Sequence, residues 1–171
     1  MSGAALSPDV AVVGGGVIGC AVARALALRG LHVVLFERGV PGREASRAAA
    51  GMLAPRSEAE GAGEFLELGL RSLAAYRGLA AALLEETGVD VGLALSGKLD
   101  VALGEDEAER LRAAVDRSAG ALEWLNGPDL RRLEPDLTGE AAAGAWSAAE
   151  GSVDNRRLAR ALWLAAARAG P

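Results

Sequence analysis

Between Val10 and Glu37 the chain reads VAVVGGGVIGCAVARALALRGLHVVLFE, and no other stretch restricts the fold as tightly. Residues 10–13 form a short continuous apolar run, the pattern of a parallel strand buried on both faces. After the glycines, residues 17–29 are rich in Ala and Leu and read as a helix, with Gly30 as its C-cap. Residues 32–36 form a second buried strand. The result is a β-α-β unit, with a right-handed crossover by general rule.

Gly14, Gly16 and Gly19 fit the spacing G-x-G-x-x-G. The first makes the tight turn out of the strand, and the second leaves room for a pyrophosphate against the backbone. The third lets the helix pack closely on the sheet. The helix N-terminus then offers unpaired N–H groups, those of Val17 and Ile18 among them, and a positive dipole end. Glu37 closes the second strand 18 residues after Gly19. Its carboxylate can accept from both hydroxyls of an adenosine ribose and repels a 2′-phosphate, which disfavours NADP. The motif predicts dinucleotide binding and by itself leaves FAD and NAD both open.

Composition narrows the rest. A chain of 171 residues is enough for one domain with a real core. A net charge of −5 argues against a nucleic-acid partner. Cys20 and His32 are the sole cysteine and histidine, so neither a disulfide framework nor a metal centre made by this chain is expected. Residues 1–8 lack the charge and apolar core of a secretory signal. No stretch approaches the roughly 20 apolar residues of a membrane span. A soluble cytoplasmic protein is the expectation.

Beyond Glu37 the pattern changes. Residues 40–63 are rich in Gly, Ser, Arg and small side chains and suit an extended segment. Within it ASRAAAGML (residues 45–53) would bring backbone amides close to a second part of the same ligand. Apolar spacing predicts a helix over 64–87 stopped by Gly88, and residues 91–95 and 98–103 read as a hairpin about Ser96-Gly97. A helix over 105–125 has acids in its first turn, a short helix spans 128–133, and 143–147 reads as a strand. Asp154 caps a last helix that reaches Ala169, with Gly170 as its stop. Arg156, Arg157, Arg160 and Arg168 are distributed around that helix as a solvated face. Cys20 reads as a packed small residue, His32 as structural, and Trp124, Trp146 and Trp163 as core or contact residues. Glu105, Asp106, Glu107 and Glu109 read as a helix start and not as a metal site.

VVGGGVIGCAVARALALRGLHVVLFERG, continued by SRAAAGMLAP, resembles the N-terminus of the FAD-dependent D-amino acid oxidase superfamily, most closely the glycine oxidases of thiamine biosynthesis. LLEETGVDVGLALSGKLDVAL, LRRLEPDL and GSVDNRRLARALWLAAARAG resemble that family's middle section in order. AAAGMLAP is the most specific piece. The resemblance implies FAD as cofactor, with contacts at Val17 and Ile18 beside the pyrophosphate and at Glu37 and Arg38 beside the ribose. It implies further contacts at Ala45 and Ser46, then at Ala50, Gly51 and Met52 near the flavin. Arg47 stands where relatives often have a small or polar residue. Asn155 stands where many have Pro, which should affect only how the last helix starts.

The implied fold is α/β: a Rossmann-like FAD-binding unit with an incomplete parallel sheet, followed by part of an α+β substrate domain. Residues 1–60 would form the βαβ unit and the FAD-contacting segment, 61–150 a partial substrate or cap region, and 151–171 a helix returning to the FAD unit. A third parallel strand should follow residue 171, and the family's substrate residues lie in that missing half. No catalytic residue is therefore assigned within 1–171. The intact enzyme would oxidise glycine, sarcosine or a D-amino acid to the imine, with hydrogen peroxide formed. Another flavin- or NAD-dependent dehydrogenase, or a catalytically inactive fragment, is the alternative. Homo-oligomerisation stays open.

Overall fold

The computed structural model describes residues 7–59, 63–137 and 139–169. In chain order the elements are β1 (Val10–Val13), α1 (Val17–Ala27), β2 (Val33–Phe36), α2 (Ala45–Ala48), β3 (Met52–Leu53), α3 (Pro55–Glu58) and α4 (Glu64–Thr87). Then follow β4 (Lys98–Ala102), α5 (Glu105–Arg117), β5 (Glu123–Asn126), α6 (Gly127–Leu133), β6 (Ala143–Ser147), β7 (Gly151–Ser152) and α7 (Asn155–Ala169). Two compact units emerge. The first comprises Met1–Met52, Ala75–Leu93 and Val153–Pro171, and the second Leu53–Ala74 and Ala94–Ser152. The expected stop at Gly170 lies outside the described residues. No described helix is long and apolar enough to cross a membrane.

In the first unit β1 and β2 pair in parallel, from Val10 with Val33 to Val13 with Phe36. Helix α1 packs on both strands and against α7. Small residues make that close approach possible: Cys20 and Ala23 on α1 and Ala159, Ala161 and Ala165 on α7 are buried, together with Leu158 and Leu162. The strands are not buried on both faces as the apolar run suggested. Val13 is 87% exposed and Phe36 57%, because the described sheet has two strands and α1 covers one side of them. Asp154 caps α7, its Oδ1 accepting from the N–H groups of Arg156 and Arg157 at 3.0 Å each.

An ion pair fastens α1 to the end of α4. Arg24 Nε donates to Glu86 Oε2 at 2.8 Å, and a second guanidinium N–H of Arg24 reaches Oε1. Arg24 is 13% exposed and Glu86 32%. The hydrogen bond from Arg24 holds the Glu86 carboxyl below its ordinary pKa. Replacing Arg24 with Met is expected to cost about 1–2 kcal/mol, less than the figure for a wholly buried pair because water reaches Glu86. A depressed native pKa means that the pair stabilises fully above the ordinary carboxylate range and fades as pH falls through the folded value. Urea unfolding of wild type and variant should therefore differ at neutral pH and converge in acid. A constant difference down to the lowest pH would remove the pair as its source.

In the second unit β4, β6 and β5 form an antiparallel sheet in that order. Leu125, Leu130 and Ala141 make its core, with Leu99, Val101, Leu137 and Trp146 packed against it. The expected hairpin about Ser96-Gly97 is absent: β4 pairs with β6, Lys98 opposite Ser147 and Ala102 opposite Ala143, while Ala94 bridges Ser152. Gly97 sits at φ +95° with the Trp146 ring where a Cβ would be, 1.9 Å away, and its N–H donates to the Glu150 carbonyl. The chain thus turns onto residues 146–150 instead of back onto 91–95. The helix expected over 105–125 ends at Arg117. Ala119 at φ +51° and Gly120 at φ +83° leave the helical region, and the Ser118 hydroxyl closes the turn by accepting from Leu122 N–H.

Candidate functional site

Every candidate residue lies in the first unit. Gly14 leaves β1 at φ +102° with open space where a side chain would project, and its N–H donates to the Phe36 carbonyl at 2.8 Å. A residue with a Cβ would be strained there and would occupy the mouth of the turn. Gly16 is the N-cap of α1 in extended backbone and carries no side-chain cap of its own. Gly19 meets the Gly14 carbonyl so closely that a Cβ would lie 1.9 Å from the oxygen. Ile18, in the first turn of α1, is 78% exposed.

Glu37 reaches back over the turn. Its Oε2 accepts from Gly15 N–H at 2.7 Å and its Oε1 from Gly39 N–H at 2.8 Å. Those two hydrogen bonds, the Gly15 one foremost, hold the carboxyl below its ordinary pKa. The group is ionised at neutral pH, and each oxygen keeps a lone pair for another donor. Arg38, beside it, pairs with Glu44 at 3.5 Å in solvent, where such contacts are worth little.

Ser46 caps the helix from a distance: its Oγ accepts from Val17 N–H at 3.0 Å. Ala45 and Ser46 belong to the helical turn α2, not to a continuous extended segment. The backbone becomes extended from Ala49. Asn155 explains the difference. Its Nδ2 donates to the carbonyls of Ser46 at 2.6 Å and Arg47 at 3.1 Å, so this side chain braces α2 as well as starting α7. Gly42 N–H donates to the Gly15 carbonyl at 2.8 Å, tying the same segment to the glycine turn.

Ala50, Gly51 and Met52 are anchored elsewhere. Gly51, at φ +77°, accepts from Val153 N–H at 2.9 Å, and a Cβ on it would lie 2.0 Å from the Val153 carbonyl oxygen. Met52 is half exposed. Cys20 is buried, with its thiol toward the Gly15 carbonyl at 3.4 Å. Burial, then the nearby Glu37 charge, raises its pKa and keeps it protonated. Among the described residues no three His, Cys, Asp or Glu side chains gather as a metal ion would need.

Local spacing singled out Gly14, Gly16, Gly19 and Glu37 as candidates. It missed Gly15, Gly39, Gly42 and Asn155, which supply the donors and braces of the arrangement. For Gly15 the signal was its place inside the turn. For Asn155, 109 residues from Ser46, the departure from Pro was the one sign.

A cradle of this kind fits FAD. Gly14 leaves the turn open, the helix start directs N–H groups outward, the Ser46 hydroxyl joins them, and an ionised carboxylate lies within hydrogen-bond reach of the same turn.

Known proteins agree with that fit. A family model described as "DAO: FAD dependent oxidoreductase" matches residues 9–170. The glycine oxidase of Geobacillus kaustophilus is 43% identical over 166 residues, 95% of this chain and 44% of that protein. The bifunctional protein ThiO/ThiG of Trichormus variabilis is 33% identical over 165 residues, 96% of this chain and 25% of that protein. The crystal structure of the Geobacillus kaustophilus glycine oxidase superposes with a TM-score of 0.93 at 40% identity, covering 95% of this chain and 45% of that one. The chain thus spans less than half the length of these relatives. Because the family match takes in the glycine turn, both units and α7, the chain belongs to the DAO family of FAD dependent oxidoreductases.

Proposed function

We propose that this chain is the FAD-anchoring part of an amine oxidase of the glycine oxidase kind. The reach of Glu37 to the glycine turn carries the reading: Gly15 N–H lies 2.7 Å from its carboxylate, which sets the span between a phosphate cradle and a sugar clasp. Gly14, Gly16 and Gly19 shape the cradle, Ile18 offers its N–H to the pyrophosphate, and Val17, whose N–H is donated to Ser46 Oγ, acts there through that hydroxyl. Glu37 accepts the ribose hydroxyls beside Arg38, while Ala45 adjoins the diphosphate. Ala50, Gly51 and Met52 receive the flavin end. Residues 1–60 and 151–171 hold the cofactor, and 61–150 contribute to the substrate side. The NAD alternative loses ground to a family that is FAD dependent.

When held by these residues, FAD would supply the redox chemistry, with a hydride leaving the α-carbon of glycine or another small amine for the flavin, the amine nitrogen releasing a proton to solvent so that an imine remains, and dioxygen taking the two electrons with two protons to give hydrogen peroxide. The residues present here bind and orient; none has to move a proton.

Titration of the purified chain with FAD, followed by quenching of flavin fluorescence, tests the reading. Saturable binding is expected, and replacing Glu37 with Gln should weaken it roughly 10- to 100-fold through loss of charge-assisted hydrogen bonds. The depressed carboxyl pKa predicts flat wild-type affinity from neutral pH down through the ordinary carboxylate range, with weakening only as Glu37 takes up its proton below it. Flavin fluorescence left unquenched by the wild-type protein, or equal affinity in the Gln variant, counts against the assignment.

A further inference from the structure

A second feature of the first unit points to a different ligand. Between residues 40–47 and α7 runs a groove of about 310 Å³. Arg43 and Arg47 stand on one side, Arg156 and Arg160 on the other, with Pro41 and Trp163 along it. All four arginines are exposed, and among the described residues no Asp or Glu lines the groove. The nearest carboxylates in sequence are engaged: Glu44 with Arg38 and Asp154 with Arg157. The face read from sequence as merely solvated is thus divided. Arg157 is paired and Arg168 donates to the Glu86 carbonyl, whereas Arg156 and Arg160 line the groove together with Arg43 and Arg47.

That arrangement is unfavourable when empty. Arg156 and Arg160 are four apart on one helix, where like charges repel, and four arginines line one groove of a chain whose net charge is −5. The walls cannot easily separate to relieve the repulsion. Gly42, at φ +72°, lies so close to Ala159 that a Cβ on it would be 2.8 Å from the alanine Cβ, and Asn155 ties α7 to α2. Guanidinium forks match phosphate oxygens bidentately, and the Trp163 indole with Pro41 offers apolar surface to a flat ring.

We infer that this groove is a binding site for a small aryl or heteroaryl phosphate, separate from the glycine turn. The groove volume suits a molecule of that size. The phosphate sits among the four guanidiniums and the ring lies along Trp163.

The test is a nuclear magnetic resonance titration of the whole chain, in the presence of excess FAD, with phenyl phosphate and with inorganic phosphate. Saturable shifts are expected in the Trp163 indole N–H and the Nε–H signals of the four arginines, with phenyl phosphate bound more tightly. Added salt should weaken both. A double variant, Arg156→Gln with Arg160→Gln, should bind phenyl phosphate about tenfold or more weakly while keeping the wild-type response to FAD, since both side chains are exposed and neither belongs to the proposed FAD cradle. Shifts that never saturate, spread over unrelated arginines, favour neither probe, persist unchanged in the double variant, or vanish as FAD is added would each overturn the inference. The response to FAD alone is read separately, so a failed flavin assignment is distinguishable from a failed groove.

Discussion

Replacing Gly19 with alanine is expected to cost about 3 kcal/mol or more and to abolish FAD binding by whatever folded protein remains. The added Cβ would lie 1.9 Å from the Gly14 carbonyl oxygen and 3.1 Å from its carbon. Neither atom is the end of a flexible side chain. Relief requires α1 to move off β1, or the turn at Gly14 to open, and both shift the N–H groups at the helix start. The displacement spreads further because α1 also packs against α7 and β2. The measurement is a denaturant midpoint for wild type and variant, with an FAD titration under native conditions. A loss below about 1 kcal/mol with unchanged FAD affinity would show that the helix can slide without disturbing the cradle, and the close approach would then have no functional meaning.

The parts of this fold that could be read from sequence are those whose cause is local. β1, α1 and β2 follow from an apolar run, a glycine turn and an Ala/Leu helix within one short stretch. The bounds of α4 and β6, Glu64–Thr87 and Ala143–Ser147, follow from helical apolar spacing closed by Gly88 and from a short strand-like run. The sequence misleads where a distant residue, or a backbone conformation that propensity does not encode, decides. β4 resembles half of a local hairpin, yet its partner β6 lies some 40 residues away, and the Trp146 ring beneath Gly97 settles the choice. α5 stops early because Ala119, a good helix former, adopts positive φ before Gly120, and propensity cannot anticipate that. α2 has small residues compatible with helix or extended chain; the carbonyls of Ser46 and Arg47 are held by Asn155 from the far end of the sequence.

The candidate site divides in the same way. Glu37 and the glycines are joined by one β-α-β crossover, so strand register alone brings the carboxylate near the turn. Ser46 arrives through a loop whose course depends on Gly42 bonding to the Gly15 carbonyl. Its role toward Val17 has no sequence signature beyond a hydroxyl at a suitable distance along the chain.

Gly51 carries the second large expectation. At φ +77° a side chain costs about 1–2 kcal/mol from backbone strain alone. Alanine there also places its Cβ 2.0 Å from the Val153 carbonyl oxygen, in a pairing that Val153 N–H closes by donating to the Gly51 carbonyl. Together the two effects should destabilise the first unit by about 3 kcal/mol or more. The consequence for ligands is more specific than for Gly19. Ala50, Gly51 and Met52 are proposed at the flavin end, whereas the ADP end belongs to the glycine turn and Glu37. Under conditions where the variant is still folded, FAD affinity should fall well below wild type while ADP affinity stays close to it. Equal losses for the two ligands would mean that alanine unsettles the cradle itself. Intact FAD affinity would remove residues 50–52 from the cofactor site altogether, because a pushed-back backbone cannot keep the same contacts with a ring system it was shaped to meet.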